Sequence, residues 1–298
     1  MLLLPQNVPS AAQLRFEGFE VTEYGRDEAF SRCALPETLH IAFLNLMPEK
    51  EQALQDICRV LAFEDKSVKL TLLKFRGHSY KVASKEYMDE YYRDVEDVDV
   101  ECFDALLVNG APVEKLPFED VDYWDSICRL MDVFSAANLP QLYICWASQA
   151  ALYHFYGIHK YPLGAKRFGI FRHSLSPDFR YLWNLQEEYM YFPVSRHTEV
   201  RADDIVACPS LSVVAESEES GVGIVLDIQA RRTFITAHTE YSRERLSIEY
   251  RRDITRGLPI HVPQNYFQDD NLDKPVKAEW HGQSRKLFHS WLQTIIKG

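Results

Sequence analysis

Short, continuous apolar runs separated by stretches with helical spacing limit this chain to a narrow set of folds. Leu39–Met47 (LHIAFLNLM) is too continuous for a half-exposed strand and reads as a buried central one, Phe103–Asn109 (FDALLVN) reads as another buried strand, and Val68–Phe75 and Pro140–Cys145 (PQLYIC) read as further strands. Between them, Leu54, Ile57, Cys58 and Leu61 recur at helical spacing within Glu51–Phe63. Val121, Trp124, Ile127, Cys128, Met131 and Phe134 do the same, and Trp146–Tyr156 does so up to a stop at Gly157. Strand alternating with helix predicts an α/β fold, a doubly wound and mainly parallel sheet covered on both faces. Beyond Gly157 the predicted elements are shorter: strands at Gly169–His173, Ile205–Cys208, Leu211–Glu216, Gly223–Asp227 and Thr233–Thr236, then helices over Tyr241–Arg256 and Ser284–Ile296. His78–Val100, acidic and tyrosine-rich, reads as a surface excursion with some helix. No internal repeat and no Gly/Ser linker divides the chain. The expected organisation is an N-terminal arm over 1–37 and one α/β domain over 38–298.

Charge narrows the partners. With 33 basic and 44 acidic residues the net charge is −11, which argues against nucleic acid or an anionic membrane as the main partner. No apolar stretch approaches the roughly 20 residues a bilayer span needs. Met1–Leu4 before Pro5 lacks the length and basic leader of an export signal, so a cytoplasmic location is expected. The six cysteines (Cys33, Cys58, Cys102, Cys128, Cys145, Cys208) show no paired spacing and read as reduced thiols, five of them in positions typical of buried small residues. The histidines form no metal-binding pattern, His154 and His173 reading as structural or solvated. No Gly-rich phosphate loop is present, so no resident metal or nucleotide cofactor is expected.

Ligands of doubly wound sheets gather outside the carboxyl ends of the strands. Here that selects the residues after Met47, after Asn109, at Cys145 and after Thr236. Cys145 stands at a strand-to-helix junction, the place of a nucleophile elbow. There the helix N-terminus favours a negatively charged sulfur, and turn N–H groups can hold an oxyanion. A buried structural cysteine would fit the same position. His238 and Glu240 follow a strand two residues apart; in an extended segment both side chains point the same way, and the acid can hold the imidazole tautomer. Together with Cys145 they form a candidate Cys–His–Glu nucleophilic system, although each alone also suits an ordinary loop residue.

Asn45-Leu-Met-Pro, Gly110-Ala-Pro-Val-Glu114, Ile144-Cys-Trp146, Leu152-Tyr-His-Phe-Tyr-Gly-Ile158, Ser195-Arg196, His238-x-Glu240 and Asn265-Tyr-Phe267 resemble the homoserine O-acyltransferase family. The resemblance runs from about Leu39 to Leu292 and implies a class I glutamine amidotransferase-like (flavodoxin-like) fold. It also implies ping-pong acyl transfer: Cys145 takes the acyl group from acyl-CoA, and His238, oriented by Glu240, takes the proton of an amino-acid hydroxyl. The backbone N–H groups of Trp146 and Gly110 would form the oxyanion hole. Lys166, Ser195 and Arg252 would line the amino-acid pocket, Lys50 would lie near the site, and the enzyme would be a homodimer. Without the resemblance, Lys166, Arg252 and Lys50 read as solvated surface charges. The family carries glutamate at the position of Glu114 in acetyl-transferring members and glycine in succinyl-transferring ones, so acetyl-CoA is the implied donor, as co-substrate and not as a bound cofactor. A nearby carboxylate would repel the succinyl carboxylate.

The family's usual Cys-Trp-Gly-Ala-Gln is here Cys145-Trp146-Ala147-Ser148-Gln149. Pro-His-Ser-Arg is Pro193-Val194-Ser195-Arg196, and Gly-His-Pro-Glu is Ala237-His238-Thr239-Glu240. These departures bear on the acceptor. L-homoserine and L-serine differ by one methylene, which discriminates by only about 1–3 kcal/mol. L-homoserine is the expected acceptor, with L-serine, and hence cysteine synthesis, as the alternative. A Cys-dependent amidase or glutaminase is the more distant one.

Overall fold

The computed structural model describes residues 1–31, 37–63, 66–277 and 279–296. The chain opens with β1 (Leu2–Pro5), α1 (Pro9–Phe16), β2 (Val21–Tyr24), β3 (Thr38–Leu44), α2 (Lys50–Leu61) and β4 (Ser67–Lys74). It continues through α3 (Lys85–Tyr91), β5 (Arg93–Asp94), β6 (Ala105–Val108), α4 (Trp124–Ala136), β7 (Gln141–Ile144) and α5 (Trp146–Tyr156). Then come β8 (Tyr161–Leu175), α6 (Pro177–Leu182), β9 (Tyr189–Glu199), α7 (Ala202–Val206), β10 (Ser212–Ser217), β11 (Gly221–Asp227), β12 (Arg232–Ile235), α8 (Arg245–Thr255) and α9 (Trp280–Ile296).

Among the described residues the strands form one sheet in the order β2-β1-β4-β3-β6-β7-β12-β11-β10-β8-β9, with β5 beside β4. Every pairing from β2 to β12 is parallel; those from β12 onward to β9 are antiparallel. The parallel half is the doubly wound sheet the apolar runs predict. Its alternation splits the core in two. Ile41 and Phe43 pack with Leu54 and Ile57 of α2 and with Leu287, Phe288 and Trp291 of α9. Ala42 and Leu44 face the other way, with Ile127 and Met131 of α4 and Ala147 and Ala150 of α5. Because both faces are covered, the strands cannot alternate with polar residues, and each large apolar side chain buried there contributes about 1.5–3 kcal/mol.

Residues 1–31, read from sequence as part of an arm, carry β1 between β2 and β4 and bury Leu2, Leu4 and Leu14 in the first core. Cys33 lies outside the described residues. Cys58 is buried, but Cys102, Cys128 and Cys208 are only half-buried, and all of these with Cys145 are free thiols. The predicted strand at Ile205–Cys208 is replaced by α7, whose first turn carries Asp203 and Asp204 and which buries only Ile205. Acids at a helix N-terminus favour that end of the dipole. The segment predicted as a strand at Gly169–His173 is the middle of the much longer β8, which pairs with β9, a strand the sequence did not announce. No helix among the described residues is long and apolar enough to cross a membrane.

Candidate active site

Cys145 joins β7 to α5 with φ 54° and ψ −117°, a left-handed backbone that a residue with a Cβ adopts only under constraint. The constraint is visible. Its N–H donates to the Ile235 carbonyl of β12 (2.7 Å), and its carbonyl accepts from the Ser148 N–H (3.0 Å) and the Ser148 hydroxyl (2.6 Å). Ala147 and Ala150, both fully buried, let α5 sit close to the sheet. The elbow expected from sequence is therefore present, and the Cys145 side chain remains half-buried rather than sealed in the core.

His238 follows β12, and its N–H donates to the Pro193 carbonyl of β9 (2.8 Å). Its Nδ1 lies 2.8 Å from Glu240 Oε1, and its ring stacks on Tyr241 at 4.0 Å. Nε2 is left for Cys145, with which the imidazole shares a hydrogen bond. Burial alone would push this imidazole down, but the Cys145 sulfur and the Glu240 carboxylate on either side outweigh it and hold His238 well above the usual histidine range. Gly110 completes the contact: a methyl group added there would lie 3.1 Å from Cys145 Cβ and 3.4 Å from His238 Cε1. The N–H groups of Gly110 and Trp146 donate to no acceptor among the described residues. Thr239 is buried beside the dyad, and its hydroxyl has no partner among the described residues.

The loops after β3 and β6 are clamped together. Asn109 accepts from the Leu46 N–H (2.6 Å) and donates to Asn45 Oδ1 (2.8 Å), while Asn45 donates to the Lys50 carbonyl (3.1 Å). Lys50 is not a surface residue. It is buried, donates to the Asn45 carbonyl (2.6 Å) and lies over the Tyr80 ring, and burial pushes its amine down to about 7.

Lys166 of β8, Ser195 of β9 and Arg252 of α8 also converge, through two carboxylates that sequence reasoning missed. Glu249 Oε1 accepts from the Ser195 hydroxyl (3.0 Å) and lies 3.4 Å from both Lys166 Nζ and Arg252 Nη2. Asp253 pairs with Lys166 (3.3 Å) and Arg252 (2.7 Å). The i, i+4 spacing of Glu249 and Asp253 on a helix that also carries Arg252 was the available signal. Arg196 was missed as well. It is fully enclosed behind Cys145, donates to the Thr236 hydroxyl (2.9 Å) and the Ser220 carbonyl, and burial pushes it down to about 10. Glu114, in the loop after Gly110, is half-buried, and its charge reaches His197 and Lys160.

His173 is buried between the Phe171 carbonyl and the Ser220 hydroxyl, and His154 pairs with Asp132. No group of His, Cys, Asp and Glu among the described residues is arranged to hold a metal ion. A cavity of about 800 Å³ around Arg232 and His289 opens at the opposite end of β12 from Cys145.

In overall structure the chain resembles a glutamine amidotransferase from Thermotoga maritima (TM-score 0.57, 11% identity, 87% of this chain and 99% of that one). A glutamine amido transferase from Methylobacillus flagellatus is similar too (TM-score 0.55, 10% identity, 86% and 94%). These likenesses establish the class I glutamine amidotransferase-like fold. In sequence it is 39% identical over 295 residues to a protein of Phocaeicola vulgatus named homoserine O-acetyltransferase, covering 99% of this chain and 95% of that one. It is 41% identical over 294 residues to a protein of the same name from Desulfitobacterium hafniense, covering 98% and 94%. The sequence model of the family described as homoserine O-succinyltransferase matches residues 1–297. The chain belongs to that family, and is therefore an acyltransferase.

Proposed function

We propose that this acyltransferase moves an acetyl group from acetyl-CoA to the side-chain hydroxyl of L-homoserine through a thioester on Cys145. The observation that carries the reading is the line Glu240–His238–Cys145 at the carboxyl end of the sheet, with Gly110 against both reacting side chains. In the first step the Cys145 sulfur attacks the thioester carbonyl of acetyl-CoA. The tetrahedral oxyanion draws on the two N–H groups of Gly110 and Trp146, donors of a kind worth about 2.7–4 kcal/mol each in such sites. The carbon–sulfur bond to CoA breaks, and the His238 imidazolium gives its proton to the departing thiolate. His238, now neutral, accepts the hydroxyl proton of homoserine as its oxygen attacks the acetyl-Cys145 carbonyl, and the Cys145 sulfur leaves. Glu240 holds the imidazole tautomer and balances its charge.

The family description names succinyl transfer and the relatives' names acetyl transfer. Glu114 supports the acetyl donor, because a carboxylate in that loop repels the terminal carboxylate of succinyl-CoA. The relatives' names support L-homoserine over L-serine, and so a place in methionine synthesis. Lys166, Ser195 and Arg252 are proposed to bind the acceptor. Arg252 suits its carboxylate through the planar guanidinium fork. Lys50, pushed down to about 7, is proposed to tune the charge near the oxyanion. The resemblance also supports a homodimer, which sedimentation velocity tests.

The direct experiment follows CoA release with acetyl-CoA and succinyl-CoA, each against L-homoserine and L-serine. The proposal expects acetyl-CoA with L-homoserine to lead by about tenfold or more in kcat/KM. A lead for succinyl-CoA or L-serine contradicts the donor or acceptor assignment. Glutamine hydrolysis without CoA release contradicts the whole reading.

A further inference from the structure

The strand ladder between β3 and β6 stops just short of the site. Its last paired residues are Leu44 and Val108, and the Asn109 N–H closes it on the Leu44 carbonyl (3.3 Å). Beyond that point neither segment is strand, yet the next residue, Gly110, lies against Cys145 and His238. The two N–H groups proposed to receive the oxyanion therefore differ in support. Trp146 is the first residue of α5 and is held by its helix, whereas Gly110 lies in a loop and has no side chain to anchor it. A peptide plane flanking a glycine turns at little steric cost, and rotation of the Asn109–Gly110 peptide would exchange its N–H for a carbonyl oxygen.

The Asn109 side chain takes over where the ladder ends. Its Oδ1 accepts from the Leu46 N–H (2.6 Å) and its Nδ2 donates to Asn45 Oδ1 (2.8 Å), so it spans to the β3 loop as one more rung. Asn45 is itself held firmly. Its Nδ2 donates to the Lys50 carbonyl and to the Tyr92 hydroxyl (3.1 Å each), and its carbonyl accepts from Lys50 Nζ (2.6 Å). Asn45, Asn109 and Tyr92 are each 1% exposed, so little water competes for these bonds, and breaking one strands a buried polar atom. Apolar packing would hold two loops together; a two-armed amide bridge also fixes their relative orientation.

We infer that Asn109 is the positioning residue of the oxyanion hole: its side chain, clamped to Asn45 and Leu46, fixes the Asn109–Gly110 peptide so that the Gly110 N–H is in place before either substrate arrives. This rests on the acetyl-transfer reading and adds the residue that prepares its loop donor. Both polar atoms of the side chain are engaged by the β3 loop, so Asn109 acts through Gly110 and touches neither substrate. A donor fixed in advance does not have to reorient as charge develops, which is where such a hole gains its effect. The hole serves twice, for the tetrahedral adduct of Cys145 with acetyl-CoA and for that of acetyl-Cys145 with the acceptor hydroxyl. A defect in it slows both half-reactions alike, whereas a defect in the donor or the acceptor pocket slows one.

The test measures the two half-reactions separately in wild type and Asn109→Ala. One is the rate of the CoA burst at saturating acetyl-CoA, the other the rate of acetyl loss from acetyl-Cys145 at saturating L-homoserine. The expected result is a fall of about ten- to a hundredfold in both rates, by the same factor, with half-saturating concentrations within about threefold of wild type. Tyr92→Phe is the structural control. It removes a hydrogen bond from the same buried network but leaves the Asn109 bridge, and is expected to change either rate by less than about threefold. Asn109→Ser, too short to reach Asn45, replaces the alanine variant where the latter does not fold and carries the same expectation. Unchanged rates, a fall in only one half-reaction, or an equal slowing by Tyr92→Phe overturns the positioning role and leaves the acetyl-transfer reading standing. Absence of the burst in wild type overturns that reading, and this inference with it.

Discussion

At Cys145 and His238 opposing influences meet in one hydrogen-bonded pair. Burial disfavours the imidazolium, while the neighbouring sulfur and the Glu240 carboxylate favour it and prevail. Cys145 comes first among the influences that raise His238, so Cys145→Ala moves its imidazole titration downward, toward the ordinary value of about 6.5. NMR of labelled histidine checks this; an unmoved titration contradicts the pairing. Gly110 is bound to the same geometry by space. Its Cβ position lies 3.1 Å from Cys145 Cβ, tighter than ordinary van der Waals contact, so Gly110→Ala shifts the cysteine or the ring by tenths of an ångström. Misplacement of reacting groups on this scale predicts a loss of about ten- to a hundredfold in kcat with little change in thermal stability, and unchanged turnover contradicts it. Cys145, His238 and Glu240 were legible because a nucleophile, a base and an acid at strand ends are a chemical pattern. Glu249 and Arg196 were not. A Glu among the many charges of α8 reads as solvated, and an Arg in a short polar stretch reads as surface; only the tertiary fold reveals that one is a shared acceptor and the other is sealed behind the elbow.

At the scale of elements, the parallel strands announced themselves through two-sided burial, whereas β9 stayed hidden. Its sequence YMYFPVSRHTE mixes Pro193, Ser195, Arg196 and Thr198 into a buried strand, and the last three spend their side chains on hydrogen bonds to Glu249, Thr236 and Gln149 rather than on apolar packing. Arg196 is the case in point. It ties β9 to Thr236 at the end of β12 and to the Ser220 turn, just before the backbone delivers His238. Arg196→Lys keeps a charge but loses the two-armed grip, so kcat should fall by about ten- to a hundredfold while acetyl-CoA affinity holds. Wild-type kcat in this variant contradicts that positioning role. On β8, Gly169 has φ 153°, and a methyl group there would overlap the Gln264 backbone. The segment after α8 docks on β8 at this point, through the Ile170 N–H on the Gln264 carbonyl (2.8 Å) and the Gln264 N–H on the Phe168 carbonyl (3.0 Å). Gly169→Ala is therefore expected to destabilise the protein by about 1–3 kcal/mol in urea unfolding, and an unchanged midpoint contradicts the close approach.

Over the whole molecule, one continuous sheet divides the labour. The parallel half places the elbow and the Gly110 loop, as the alternation of apolar runs and helices indicated. The antiparallel half, with α8 packed beside it, brings the Lys166, Ser195 and Arg252 cluster to the dyad. That second half was the less legible part, because its strands are irregular in length and its polar residues break the apolar pattern. In the proposed mechanism the parallel half captures the acyl group, and the other half selects what it is passed to. The covalent step therefore tests the account most directly: intact-protein mass measured after mixing with acetyl-CoA alone, then after adding L-homoserine. The account predicts a gain of one acetyl group on Cys145, absent in Cys145→Ala, that disappears when L-homoserine is added. No mass gain in wild type, or an acetyl group that stays in place with L-homoserine present, would contradict transfer through a Cys145 thioester.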